Sequence, residues 1–119
     1  MESILNKTLK EYELKRRISK ILYKIGMKTT CTGFCYWLNA IAYCVSRGMD
    51  ENYDIRTISE VYSYVAEKYK ISIDCVEKSM RYAKEKSNYK EQWNLDYKLK
   101  NHDFLQICLN KAYECLFHK

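Results

Sequence analysis

The sequence contains no proline and only three glycines, at positions 26, 33 and 48 of its 119 residues. Because these residue types end helices and shape turns, their scarcity favours an all-α protein. No apolar run approaches the roughly 20 residues that span a membrane, and the opening segment MESILNKTLKEYELKRR has no apolar stretch of the signal-peptide kind. We therefore expect a single cytoplasmic domain with no membrane partner.

The six cysteines do not follow a metal-binding or disulfide pattern. No Cys-x-x-Cys pair occurs, and the only histidines, His102 and His118, lie near the end. Most of the cysteines fall within apolar helical patterns, where a reduced thiol packs as a small hydrophobe. A zinc site is the less favoured alternative. No phosphate loop or catalytic grouping is legible, so we expect no metal, no cofactor and no enzymatic activity.

The charge is basic, with 21 Lys and Arg against 15 Asp and Glu and a formal net charge of +6. This balance favours a polyanionic partner, although a basic surface also serves solubility alone. Apolar periodicity predicts helices over residues 3–25, 73–87 and 101–116. Two further helices are predicted, one from Thr30 or Thr32 to Gly48 and one that starts near Thr57. Either threonine could cap the former, and Asn101 could cap the last helix. One short helix is possible in NYKEQWNLDYKLK, which gives five or six helices in all.

The segment VAEKYKISIDCVEKSMRYAKEK has the pattern of a helix-turn-helix. Ala66 is the small residue where two helices cross, and Val76 is the apolar residue ten positions later that holds the second helix down. Residues 69–72 form the predicted turn, with Lys70 at the position where many such motifs have glycine. We predict that the second helix is a DNA-recognition helix.

On a helical wheel, Val76, Met80 and Ala83 of the second helix face the core. The predicted DNA-binding residues are Ser72, Asp74, Cys75, Lys78, Arg81, Tyr82, Lys70 and Lys84. Arg81 can donate two hydrogen bonds to a guanine, and Lys78 can contact guanine or phosphate. Tyr82, Cys75 and Asp74 would tune the preference, while Lys70, Lys84 and Ser72 would hold the DNA backbone. The alternative is an ordinary solvated helix face.

Two blocks of sequence carry a resemblance to a known family. ISKILYKIGMKTTCTGFCYWLNAI and VYSYVAEKYKISIDCVEKSMRYAKE, and more weakly NHDFLQICLNKAYECL, are similar to the C-terminal DNA-binding effector domain of the sporulation-initiation response regulator (stage 0 sporulation protein A). The resemblance covers roughly residues 15–117 and implies six helices and association with the bacterial nucleoid. We predict an N-terminal helical extension over 1–14 and an effector-type domain over 15–119. In the family, a phosphorylatable receiver domain precedes this domain. Because Met1 lies only a few residues before the matching segment, we also expect no phosphorylation switch.

The predicted recognition helix departs from the family's pattern. The family has Ser-Arg-Val-Glu-Arg followed by Arg-His, whereas this chain has Asp74 to Lys78 followed by Arg81 and Tyr82. Cys75 therefore takes the place of one base-reading arginine of the family, and Tyr82 takes the place of the family's histidine. Losing one bidentate contact costs about 1–3 kcal/mol of base discrimination. We expect this chain not to read the family's DNA box with the family's preference.

The last helix is apolar around much of its circumference, which a chain-end helix seldom buries in one small domain. It predicts a homodimer contact, to which the resemblance also points, formed by Phe104, Leu105, Cys108, Leu109 and Ala112. The sequence therefore predicts a transcription regulator that binds the major groove of duplex DNA as a homodimer. The alternative is an interaction protein that pairs with RNA polymerase or a full-length response regulator.

Overall fold

A computed structural model of the protein describes the backbone of residues 2–47 and 58–117 and the side chains of residues 10–47 and 58–114. Within these ranges the chain forms six helices and no strand, which confirms the all-α prediction. They are α1 (Glu2–Lys24), α2 (Thr32–Ser46), α3 (Ile58–Tyr69), α4 (Ile73–Lys86), α5 (Tyr89–Gln92) and α6 (Asn101–Phe117). In the described part of the chain, no helix is long and apolar enough to cross a bilayer.

Helix α1 ends in the way that its sequence predicts. Ile18, Leu22 and Ile25 form a buried stripe that faces the core. Gly26 follows with φ +77°, a left-handed conformation that glycine adopts at little cost. Its N–H donates to the Tyr23 carbonyl, and the N–H of residue 27 donates to the Leu22 carbonyl, at 2.9 and 3.1 Å. These two bonds form a Schellman motif, which satisfies carbonyls at the end of the helix.

Helix α2 is the centre of the fold, because it packs against α1, α3, α4 and α6. Its Trp37 is fully buried, and the Trp37 ring meets that of Phe104 on α6 edge-on with 4.7 Å between centroids. The predicted caps are wrong: Cys31 is the N-cap residue, and it makes no side-chain capping bond. The helix ends at Ser46, and Gly48 and Thr57 lie outside the described residues.

Helices α2 and α4 approach each other very closely. A Cβ atom placed on Gly33 would lie 2.2 Å from the Ser79 carbonyl oxygen and 2.6 Å from the Ala83 Cβ. One turn further along α2, Trp37 Nε1 donates a 2.8 Å hydrogen bond to the Met80 carbonyl. The absence of a side chain at Gly33 lets α4 approach α2, and the hydrogen bond from Trp37 holds α4 in that position.

One face of helix α6 is buried within its own domain. The residues predicted to form a dimer contact are all buried in the core: Phe104, Leu105, Cys108, Leu109 and Ala112. The helix packs against α1, α2 and α4, and the ring of Trp93 lies 5.3 Å from that of Phe104. These side chains are not available to a second copy, so the sequence prediction is corrected. Each large one contributes roughly 1.5–3 kcal/mol to folding instead.

The start of α6 also differs from its prediction. Asn101 is buried and is the first helical residue; its side-chain amide donates to the Tyr62 hydroxyl at 3.0 Å. The Phe104 N–H donates to the Lys100 carbonyl, which marks Lys100 as the residue that precedes the helix. Asn101 therefore ties α6 to α3 and does not act as a side-chain cap.

The five cysteines whose side chains the structure describes differ in burial, and Cys31 is intermediate. Cys44 and Cys108 are buried, and burial raises the pKa of the Cys44 thiol to about 12. These two behave as the small hydrophobes that the sequence predicts. Cys35 and Cys75 are exposed. Among the described residues, no three His, Cys, Asp or Glu side chains form a group able to hold a metal ion.

Candidate nucleic-acid interface

Helices α3 and α4 form a helix-turn-helix over Ile58–Tyr69 and Ile73–Lys86. Ala66 and Val76 are both buried where the two helices cross, as their ten-residue spacing predicts. The N–H of Ile71 donates to the Ala66 carbonyl at 3.0 Å, and that of Lys70 donates to Glu67 at 3.3 Å. Helix α3 thus ends in the same Schellman motif as α1.

Lys70 takes the left-handed position of this motif, with φ +56°. The lysine adopts the conformation that glycine usually supplies in such turns, at a cost of roughly 1–2 kcal/mol. Its side chain is exposed beside the start of α4. The turn therefore has an exposed cation where glycine would have no side chain, and the left-handed backbone of Lys70 is somewhat strained.

Ser72 begins α4. Its backbone is extended, and its Oγ accepts a 3.1 Å hydrogen bond from the N–H of Cys75. This is the usual role of serine at an N-cap, and it leaves the hydroxyl hydrogen free to donate. Ser72 is thus a helix cap as well as a candidate for contact with the DNA backbone.

Helix α4 is sharply two-sided. Val76, Met80 and Ala83 are buried against the core, as the helical wheel predicts. The outward residues are exposed: Asp74, Cys75, Lys78, Arg81 and Tyr82. We call these five residues the outer face of α4. A recognition helix needs this arrangement, because the buried side positions the helix while the other side remains free for a groove.

The charged groups of the outer face are only lightly engaged. Arg81 Nη1 lies 3.3 Å from a carboxylate oxygen of Glu77 one turn earlier, and the Arg81 side chain is 48% exposed. Such a pair contributes about 0.3–0.5 kcal/mol, so a guanine can displace it at little cost. The Lys86 ammonium lies 5.5 Å from the Tyr82 ring centroid, which places a second cation beside this aromatic side chain.

Lys84 does not belong to the outer face. Only 3% of it is exposed, and its Nζ donates to the main-chain carbonyl of Leu99. Desolvation by burial lowers the pKa of its ammonium. The prediction that Lys84 contacts phosphate is therefore corrected. It fastens α4 to the segment between α5 and α6, where the Leu99 N–H also donates to the Tyr89 hydroxyl at 2.8 Å.

The family described as the sporulation initiation factor Spo0A C terminal matches residues 18–111 of the chain. The chain belongs to this family. The match spans the whole helix-turn-helix and most of α6, and it confirms the resemblance seen in the sequence. The Spo0A C-terminal family is one of DNA-binding domains of transcription regulators, which control sporulation as response-regulator effector domains. No curated protein matches the chain.

In this Spo0A C-terminal domain, the start of α2 lies beside the outer face of α4. A groove of about 410 Å³ has Thr30, Cys31 and Thr32 on one side and Lys78 and Tyr82 on the other. The sequence predicted the two threonines only as candidate helix caps and did not indicate that they lie beside α4. Gly33 was the available signal, because a glycine inside an apolar helical pattern often marks a close approach of a second backbone.

Proposed function

We propose that the protein is a transcription regulator that binds duplex DNA sequence-specifically, with α4 in the major groove. The observation that carries this proposal is the outer face of α4, which is held outward by buried contacts in a chain of the Spo0A C-terminal family. An α-helix fits the B-DNA major groove, where each base pair has its own pattern of donors and acceptors. The protein would act in the cytoplasm, on the nucleoid.

The proposed base contacts come from the middle of α4. Arg81 would leave Glu77 and donate two hydrogen bonds to a guanine, while Lys78 would contact a base edge or a phosphate. Tyr82, Cys75 and Asp74 would set the preference for neighbouring bases. Their exposure and position on one side of α4 support these roles.

The proposed contacts to the DNA backbone come from Lys70 and Ser72 at the turn. Lys70 is an exposed ammonium and Ser72 has an unused hydroxyl hydrogen, and both precede the outer face. Each phosphate that a cation neutralises releases counterions, so we expect affinity to fall steeply with salt. Lys84 has no part in this set, because it is buried.

A homodimer on paired half-sites stays part of the proposal on the strength of the family resemblance alone. Its contact surface would lie outside the core of α6, whose apolar residues are already buried. The expectation that the protein responds to no phosphorylation of its own also stays a prediction.

Selection from random DNA duplexes, at low and near-physiological salt, tests the proposed function. We expect one enriched motif, and we expect Arg81→Ala to abolish the enrichment. Arg16→Ala is a matched control, because Arg16 is also about half exposed and pairs with a glutamate of its own helix, at 3.0 Å. No motif at either salt concentration, or equal loss in both variants, would contradict the proposal.

The second candidate function is an interaction protein that pairs with a full-length response regulator or RNA polymerase. Cys75 favours it, because the family's arginine at this position is replaced by a side chain that makes no bidentate contact. Under this alternative no DNA motif is enriched, and the purified chain binds the purified regulator or polymerase. The duplex selection and this binding measurement together separate the two functions.

A further inference from the structure

A groove lies on the part of the domain formed by α1, α5 and α6. Its volume is about 650 Å³, and its lining residues are Glu13, Arg16, Arg17, Lys20, Ile21, Lys24, Ile25, Gln92, Trp93, Lys111 and Glu114. No residue of α3 or α4 is among them. We call it the α1–α6 groove, and neither the fold nor the proposed DNA contacts account for it.

The walls of the α1–α6 groove are strongly basic. Five cations line it against two carboxylates, and one of these, Glu13, is shared by Arg16 and Arg17 at 3.0 and 3.2 Å. Within the described part of the chain, no carboxylate pairs with Lys20 or Lys24. Because like charges along one helix destabilise it slightly, this wall suits a binding role better than a stabilising one.

The cations lie in a row. Residues 17, 20 and 24 follow one face of α1 at spacings of three and four, which spreads their charges over about 10 Å. On the opposite wall, the Lys111 ammonium lies 5.2 Å from the ring centroid of Trp93. A partner with several negative charges along its length could therefore place each charge beside a cation of the groove.

The floor of the α1–α6 groove is apolar. Ile21 and Trp93 are half-buried there beside the fully buried Ile25. Apolar side chains of a partner would lose water against this floor, at roughly 25 cal/mol per Å². A nucleic-acid backbone offers no such side chains, and Lys111 already covers a face of the Trp93 ring on which a base would stack.

We propose that the α1–α6 groove binds an acidic segment of a partner protein, whose carboxylates pair with Lys20, Lys24 and Lys111 while its apolar side chains contact Ile21 and Trp93. Charge complementarity and the mixed basic and apolar lining support this occupant. The binding is independent of DNA recognition, because it uses no residue of the outer face of α4.

The test uses the full chain and a synthetic twelve-residue peptide that carries glutamates on one helical face and leucines on the adjacent face. A peptide with glutamines in place of the glutamates is the charge control. Fluorescence anisotropy gives the dissociation constants, and amide shifts in ¹⁵N-labelled protein give the location. We expect the acidic peptide to shift amides of α1, α5 and α6, and the glutamine peptide to bind at least about tenfold more weakly.

The charge-reversal variant Lys20→Glu with Lys24→Glu should weaken the acidic peptide about tenfold or more. Lys28→Glu with Lys98→Glu is its matched control: both lysines are exposed, neither lines the groove, and the net charge changes equally. Thermal unfolding shows that each variant is folded. The proposal is overturned by absent peptide binding, by equal effects of the two double variants, or by amide shifts confined to α4. It is also overturned if a duplex or single-stranded oligonucleotide binds the groove more tightly than the peptide.

Discussion

Trp37 Nε1 donates a 2.8 Å hydrogen bond to the main-chain carbonyl of Met80. This bond joins the middle of α2 to the buried side of α4, in the same region where Gly33 lets the two helices touch. Because Trp37 and Met80 are both fully buried, no water replaces the donor when it is lost. The position of the candidate recognition helix therefore depends on a residue 43 positions earlier in the chain.

We expect Trp37→Phe to lower the free energy of unfolding by about 2 kcal/mol, because it removes the donor and part of the buried ring. Urea denaturation followed by circular dichroism measures this loss. Trp93→Phe is the control: Trp93 is only half-buried, and its described partners are rings and Lys111. Equal losses in the two variants would mean that the Trp37 hydrogen bond has no special weight.

Gly33→Ala should cost about 2–3 kcal/mol, because a methyl group 2.2 Å from the Ser79 carbonyl forces α4 away from α2. Since α4 moves, affinity for a selected duplex should fall as well, even though position 33 carries no base-reading group. Denaturation and a DNA-binding titration measure the two effects. Ser46→Ala, at an exposed position of the same helix, should change neither. A stable Gly33→Ala variant would contradict the close packing.

Lys70→Gly should raise stability while weakening DNA binding. Removing the side chain relieves the left-handed strain, and the greater freedom of glycine in the unfolded chain offsets part of the gain, which leaves about 0.5–1 kcal/mol. Asn94→Gly is a matched control, since Asn94 has the same φ of +56°. Asparagine tolerates this conformation, so its gain should be smaller and DNA affinity unchanged. A DNA affinity that survives Lys70→Gly would remove Lys70 from the proposed backbone contacts.

Lys84 should give stability a measurable pH dependence. Burial lowers the pKa of its ammonium in the folded state, so between that pKa and the unfolded value of about 10.5 the unfolded chain binds more protons. The Lys84 contribution therefore rises with pH in this window and is least favourable below it. Lys84→Met lacks this contribution and leaves the Leu99 carbonyl without its donor. Urea denaturation of both proteins from pH 7 to 10.5 should show a difference that changes with pH; a constant difference would contradict the buried cation.

Cys75→Arg should add base discrimination, because an exposed arginine on the outer face of α4 regains the bidentate donor that the family pattern has there. We expect a gain of about 1–3 kcal/mol of preference at one base pair in a random-duplex selection. Cys35→Arg adds the same charge at an exposed site of α2 and should raise affinity without adding a base preference. If both variants select the same motif, Cys75 does not face the bases.

Local sequence signals predicted the helices and the two sides of α4, because apolar periodicity depends on residues a few positions apart. The wrong predictions for Lys84 and for the dimer contact came from contacts between residues distant in the sequence. Lys84 is charged and close to the edge of the buried stripe, and only the segment around Leu99 decides that it is covered. Likewise, the apolar circumference of α6 suggested a dimer, because the burial of its apolar face against α1, α2 and α4 cannot be read from the helix alone.

In the candidate site, too, the sequence predicted the features that depend on local spacing and not those that depend on packing between distant elements. The exposure of Lys78 and Arg81 followed from their spacing relative to Val76 and Met80. The neighbourhood of Thr30 and Lys78 did not, since it depends on how α2 lies across α4. The sequence did not indicate the α1–α6 groove for a similar reason. Its two walls come from distant parts of the chain, since Lys111 and Trp93 meet the α1 cations only in the fold, and Trp93 lies in a segment without clear periodicity.

The separation of buried and outward positions on α4 has an evolutionary consequence. Val76, Met80 and Ala83 hold the helix in place, whereas the outward side chains take almost no part in that anchoring. Under the proposed function, substitutions at Cys75 or Tyr82 would therefore alter the preferred operator while the scaffold stays intact. Duplicated copies of such a domain could diverge in their regulatory targets by a few mutations, without passing through an unfolded ancestor.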